Sequence, residues 1–136
     1  MTVYLLDTNI VSELMRPAPN GAVLQWLSRI GSLAQPLSVS AITVDEVVFG
    51  LARKPRKAAA IFFDEFVASG RVIDVNETIA RRGGDLRGLL GNRGRVRSQA
   101  DMLIAATAQV HALTLVTRNV RDFDGCGVAV LNPFDA

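Results

Sequence analysis

A short apolar run of β-formers, Val3-Tyr4-Leu5-Leu6, stops at an acid, Asp7, and the polar residues after it can open a helix. That junction predicts a buried strand feeding directly into a helix, and the same change of period recurs along the chain. Pro36 to Ala41 reads as a second strand, Arg71 to Val75 as a third, and Leu113 to Thr117 as the clearest late one, with Val128 to Leu131 adding an edge strand. Helical spacing fills the intervals. Ile10 to Met15 is ended by the Arg16-Pro17-Ala18-Pro19 segment, and Asn20 caps a helix carrying Val23, Leu24, Trp26, Leu27 and Ile30. Thr43-Val44-Asp45-Glu46 opens another, and Ala58 to Ser69 is closed by Gly70. Asn76 caps a helix running to Leu90, and Ser98 caps the last. Strands separated by helices require right-handed crossovers, so the expectation is an α/β fold with a mainly parallel central sheet, in one domain spanning residues 1–136.

Composition narrows the class. With 136 residues, 49% of them hydrophobic and 21% charged, the chain can bury a core and lacks the signature of a disordered protein. No apolar run reaches the roughly 18 residues of a membrane span, and the first residues lack a basic segment followed by an apolar stretch and a cleavage site. A cytoplasmic location is expected. Cys126 is the single cysteine and has no partner for an internal disulfide or a metal site, so it reads as a small loop residue. His111, the only histidine, reads as a helix-end residue.

The net charge is only +2, yet thirteen of the fifteen basic residues are arginines. Arginine suits bidentate recognition of phosphate and carboxylate. Arg81, Arg82, Arg87, Arg93, Arg95 and Arg97 face the lone acid Asp85 between positions 81 and 97, and Gly91-Asn92-Arg93-Gly94-Arg95 reads as a flexible basic loop. The competing reading of such a run is an ordinary solvated face. Its position favours a phosphate-contacting surface, with Arg93, Arg95 and Arg97 as the candidate contacts, because the loop leads directly to Asp101.

Four acids occupy comparable places in the predicted pattern. Asp7 ends a strand, Glu46 and Asp101 lie in first turns of helices, and Asp122 follows the strand ending at Thr117. Strand carboxyl ends and the helix starts that follow them share one edge of a parallel sheet. Carboxylates gathered there repel one another, and an oxygen-only donor set favours a hard divalent ion such as magnesium or manganese. Such an ion supports attack of water on a phosphodiester. Each acid also has a plainer use: Glu46 is third after Thr43 and Asp101 third after Ser98, which fits capping boxes, while Asp122 can orient its turn.

Leu5-Leu6-Asp7-Thr8-Asn9, Glu46 in its helix, Ala100-Asp101-Met102-Leu103-Ile104-Ala105-Ala106 and Leu115-Val116-Thr117-Arg118-Asn119 together resemble a PIN domain, and more narrowly the VapC and FitB toxins. The resemblance runs nearly end to end with the motifs in order. It implies a three-layer α/β/α fold and a metal-dependent endoribonuclease acting as the toxin of a toxin–antitoxin pair. It implies that Asp7, Glu46 and Asp101 bind magnesium or manganese and position the attacking water, with Asp7 and Asp101 expected to hold the principal ion and Glu46 to complete the catalytic acids, and that Asn9 and Thr117 support them. Many PIN domains carry a further acid two residues after the threonine, where this chain has Asn119. Asparagine brings no charge, and Asp122, one helical turn onward, is the other candidate for that place.

The resemblance also implies an RNA substrate and a VapB- or FitA-like antitoxin whose C-terminal segment crosses the toxin, with an arginine often reaching the acids. It implies a homodimer or a toxin–antitoxin hetero-oligomer. The apolar helices around Val47 to Leu51 and Ile61 to Val67 are the candidate antitoxin groove. Rival classes fit less well. A haloacid-dehalogenase-like phosphatase needs an acid where Asn9 stands, and a receiver-like domain needs a lysine after a late strand, whereas Lys54 and Lys57 lie far earlier. The remaining alternative is a non-catalytic PIN-fold module that binds RNA or protein.

Overall fold

The computed structural model describes residues 3–31 and 37–135. In chain order it contains β1 (Tyr4–Leu6), α1 (Thr8–Leu14), α2 (Gly21–Gly31), β2 (Leu37–Ser40), α3 (Ala41–Arg53) and α4 (Lys57–Ser69). Then follow β3 (Arg71–Ile73), α5 (Glu77–Asn92), α6 (Gln99–Val110), β4 (Thr114–Val116), a single 3₁₀ turn (Val120–Phe123) and β5 (Val130–Leu131). Pro36, expected in the second strand, lies outside the described residues. Among the described residues no helix is long and apolar enough to cross a membrane.

Local side chains set most helix starts. Asn20 Oδ1 accepts from the Ala22 and Val23 amides, Asn76 Oδ1 from Ile79 N at 3.0 Å, and Ser98 Oγ from Asp101 N at 3.1 Å. Each bond satisfies an amide that a helix's first turn leaves free. Two expected boundaries are corrected. α3 begins at Ala41, capped by Ser40 Oγ on Ile42 N at 3.0 Å, and Thr43 is fully buried in its first turn. Glu46 therefore stands in the second turn of α3 and is outside any capping box with Thr43. Likewise, Gly91 and Asn92 close α5 instead of forming loop; the chain leaves the helix at Gly94, whose φ of +75° suits a residue without Cβ, and Arg95 N returns to Leu90 O at 2.8 Å.

The five strands form one sheet in the order β3-β2-β1-β4-β5, and every neighbouring pair is parallel. β1 is central, with Leu6 opposite Val116 of β4. Alternation along the strands sends successive residues to opposite faces. Leu5 and Leu115 join Ile79, Leu86, Leu90, Met102 and Ile104 of α5 and α6, whereas Leu6, Val39 and Val116 join apolar side chains of α1 to α4. The result is the expected three-layer α/β/α arrangement. Helices on both sides explain why β1 and β4 read as continuous apolar runs. All strand carboxyl ends lie along one edge.

Two glycines test how tightly the layers close. A Cβ at Gly70, between α4 and β3, would lie 2.9 Å from the Leu37 carbonyl oxygen and 3.2 Å from that of Phe66, whereas Gly88 in α5 faces open space. Gly70→Ala is expected to destabilise the protein by about 1–3 kcal/mol. Gly88→Ala is expected to stabilise it by about 0.5–1 kcal/mol by relieving the helical cost of glycine. Urea unfolding midpoints of the two variants at unchanged m-value provide the check.

Candidate active site

The pairing of β1 with β4 brings Asp7 beside Thr117, and Asp7 N donates to Val116 O at 2.9 Å as the strand ends. The Asp7 side chain is only 4% exposed. Thr117 Oγ1 donates to Asp7 Oδ2 at 2.8 Å, Asn9 Nδ2 reaches the same oxygen at 3.1 Å, and the Thr8 amide donates to Oδ1 at 2.8 Å. The supports are themselves fixed. Asn9 Nδ2 also reaches Thr117 Oγ1, Asn9 Oδ1 accepts from Arg118 N at 3.1 Å, and Thr117 Oγ1 accepts from Asn119 N at 3.0 Å.

Glu46 reaches this edge from α3. Thr8 Oγ1 donates to Glu46 Oε1 at 2.6 Å and lies 3.1 Å from Thr43 Oγ1. Thr8 thus links α1 to α3 and sets the Glu46 carboxylate, a role absent from the sequence reading. The signal was local, a hydroxyl in the first helical turn next to an acid, but its partner is 38 residues away. Asp101, in the first turn of α6, and Asp122, in the 3₁₀ turn, complete the acidic edge; both are half-buried.

These acids sense one another. Burial pushes the Asp7 pKa from its usual 3.8 to about 6, outweighing the hydrogen bonds from Thr117 and Thr8, and the charges of Asp101 and Glu46 push it further up. Asp101 is also raised, first by burial and then by Asp122 and Glu46, against lowering by the Ser98 hydroxyl and Arg97. Among the described residues no ion pair involves Asp7, Glu46, Asp101 or Asp122. Nor does any group of three acidic, imidazole or thiol side chains stand in ligating arrangement there. The donor chemistry, oxygen-only and short of positive charge, fits a hard divalent cation.

The expected RNA contacts divide. Arg93 and Arg95 are exposed just beyond α5. Arg97 is half-buried: its Nη2 donates to the Arg121 carbonyl at 3.3 Å and its Nε is enclosed without a partner. It braces the 3₁₀ turn and lends positive charge to Asp101. Asn119 is exposed beside Thr117, and its side chain extends the polar edge without adding charge. Cys126 packs in the α5–α6 core, with Sγ 3.8 Å from Met102 Sδ, and His111 is the C-cap of α6.

The raised Asp7 pKa makes the acid form favour folding. Its stabilising contribution is fully present below pH 3.8 and is lost as pH rises through about 6. In chelator, Asp7→Asn is therefore expected to stabilise the protein at pH 8 by about 2 kcal/mol more than at pH 4. Urea unfolding at the two pH values measures this difference, and an equal effect at both would contradict it.

Residues 4–125 match the PIN domain family. A VapC ribonuclease of Sinorhizobium fredii is 36% identical, with 98% of this chain and 99% of that protein aligned. Toxin FitB of Neisseria gonorrhoeae is 34% identical over 97% of this chain and 99% of its own length. Among solved structures, FitAcB from Neisseria gonorrhoeae superposes with a TM-score of 0.84 at 32% identity, covering 98% of this chain and 100% of that one. VapBC2 from Rickettsia felis, bound to a DNA fragment from its promoter, gives a TM-score of 0.84 at 25% identity, covering 96% and 98% of the two chains. By sequence and by fold alike, this chain belongs to the PIN-domain family.

Proposed function

We propose that the protein is a metal-dependent endoribonuclease that acts as the toxin of a toxin–antitoxin pair. The observation that carries the reading is the acidic edge itself. Asp7, Glu46, Asp101 and Asp122 come from separate elements, raise the pKa of Asp7 and Asp101 by burial and mutual repulsion, and have no ion-pair partner among the described residues. Relatives named as VapC ribonucleases support the assignment to RNA.

Asp7 and Asp101 would hold a magnesium or manganese ion, with Glu46 completing the acidic set. When bound, the ion supplies charge neutralisation and Lewis acidity for hydrolysis of a phosphodiester. The chain's own residues prepare that chemistry. Asn9 and Thr117 fix the orientation of Asp7 through Oδ2, and Thr8 fixes Glu46 through Oε1. Glu46 would orient the attacking water; in the hydrolysis the water oxygen bonds to phosphorus, the bond to the leaving ribose oxygen breaks, and that oxygen takes up a proton as the water gives one up. Arg93 and Arg95 would steer and hold the phosphate backbone.

The antitoxin would lie along α1, α3 and α4. An apolar recess of about 420 Å³ runs past Leu14, Leu27, Phe62 and Phe66, and a neighbouring one of about 270 Å³ shares Leu14 and Phe62 and adds Met15. A third, of about 290 Å³ and mixed lining, continues from Met15 past Val47 and Leu51 to Glu46, with Lys54 and Arg56 also in its wall. Together they offer an apolar segment a path towards Glu46, which has no ion-pair partner among the described residues and could take a basic side chain.

Cleavage of total RNA by antitoxin-free protein in magnesium, manganese or chelator tests the reading. Cutting is expected with either metal and lost in chelator and in Asp7→Asn, with Asn9→Ala about 10–100-fold slower. A folded protein that cuts no RNA class with either metal would favour a binding-only module. A separate titration isolates the basic loop: Arg93→Ala and Arg95→Ala are expected to weaken RNA binding and reduce the slope of log affinity against log salt by about 0.7 per lost phosphate contact.

A further inference from the structure

Beyond the acids, the sheet edge carries a second polar feature. Arg118, two residues from the end of β4, extends over Phe134, its Cζ 4.4 Å from the ring centroid. Arg118 is exposed, so the side chain that covers the ring is also open to solvent. Beside it opens a cleft of about 580 Å³ lined by Arg118, Asn119, Arg121, Asp122, Asn132 and Asp135.

The cleft is braced on each side. Arg97 Nη2 holds the Arg121 carbonyl at 3.3 Å, and Asn132 Oδ1 accepts from Phe134 N at 3.0 Å while its Nδ2 donates to Asp135 Oδ2 at 3.2 Å. The Arg118 and Asn119 amides are tied to Asn9 and Thr117, the residues that orient Asp7. The cleft therefore adjoins the acidic edge: Arg118 and Asn119 directly follow Thr117 in the chain, and Asp122 belongs to both. A phosphate subsite presents donors alone, but this lining mixes two amides and two carboxylates with its cations. Donors and acceptors together beside a planar cation match the edge and face of a nucleobase.

We propose that this cleft is a nucleobase subsite, in which a base next to the cleaved phosphate stacks on the Arg118 guanidinium and presents its edge to Asn119, Asn132 and Asp135. The assignment rests on the ribonuclease reading for its place beside a scissile bond. It gives the protein a means of choosing where to cut, separate from the sequence-blind hold of exposed arginines on the backbone. The guanidinium is planar by itself, and its contact with Phe134 limits its motion, which lowers the entropic cost of stacking.

Backbone amide NMR in chelator tests the subsite without requiring cleavage. Wild type, Arg118→Ala and Arg118→Lys are titrated with each of the four nucleoside 5′-monophosphates and with ribose 5-phosphate. At least one nucleotide is expected to shift the amides of residues 119–121 and 132, with ribose 5-phosphate binding about fivefold or more weakly. Both Arg118 variants are expected to lose affinity by about fivefold or more, because lysine restores the charge but not the plane. Unchanged amides elsewhere verify the fold. Equal binding of ribose 5-phosphate, full rescue by lysine, or no shift with any nucleotide would overturn the proposal. Selective base binding by a protein that cuts no RNA would leave the subsite standing and refute the nuclease reading; RNA cleavage without base binding would refute the subsite alone.

Discussion

Burial of the Asp7 carboxylate at the end of the central strand, without a cation beside it, is the constraint to which the neighbouring elements conform. Taking an ionised carboxylate out of water is costly, and three hydrogen bonds from Thr117, Asn9 and the Thr8 amide offset only part of that cost. The pKa remains near 6 because burial and neighbouring acids act in the same direction. A protein selected for stability alone would place an amide or an apolar side chain there. Retaining the acid makes sense where a cation is bound during function, because that ion removes the electrostatic penalty and uses the geometry the hydrogen bonds have already set.

Two threonine hydroxyls give the edge its rigidity. Thr117 joins β4 to Asp7, and Thr8 joins α1 to Glu46 of α3. A hydroxyl is well suited because it both donates to a carboxylate and accepts from a neighbouring amide, as Thr117 does with Asn119. Replacing either with valine would preserve shape and remove the bridge. The capping of α3 by Ser40 matters for the same reason: it puts Thr43 in the first turn beside Thr8 and Glu46 one turn later, within reach of the Thr8 hydroxyl.

Much of this was legible in sequence because its cause is local. The strand at Leu5-Leu6 and the helix starts at Asn20, Asn76 and Ser98 follow from periodicity and from side chains bonding amides two or three residues away. The acids Asp7, Glu46, Asp101 and Asp122 were visible as strand-end or helix-start residues, and parallel topology gathers them on one edge. Where two local solutions compete, sequence favoured the wrong one, opening α3 at Thr43 and ending α5 before Gly91. Ser40 and Thr43 can each cap α3, and Gly91 and Gly94 can each end α5; packing of Thr43 and the left-handed turn at Gly94 decide. Thr8 with Glu46 and Arg118 with Phe134 depend on contacts between distant segments, which no short window contains.

The arginine-rich composition shows how a global signal divides once the chain folds. Arg16 and Arg81 pair with acids on their own helical segments, Arg82 Nε bonds Gln109 at 2.6 Å, and Arg97 holds a carbonyl beneath the 3₁₀ turn. Arg53 lies over Phe49 and Arg118 over Phe134. Much of the apparent basic surface thus has structural partners, which is why a net charge of +2 conveys little about nucleic-acid affinity. Position separates the roles more sharply than charge does. Arg93 and Arg95 are exposed where a backbone could pass, Arg97 stabilises the wall of the cleft, and Arg118 offers a flat face beside the acids. One residue type thus braces the 3₁₀ turn through Arg97 and covers an aromatic ring through Arg118 along the same edge, and on the proposed reading the planarity of the Arg118 guanidinium is the property that lysine could not replace.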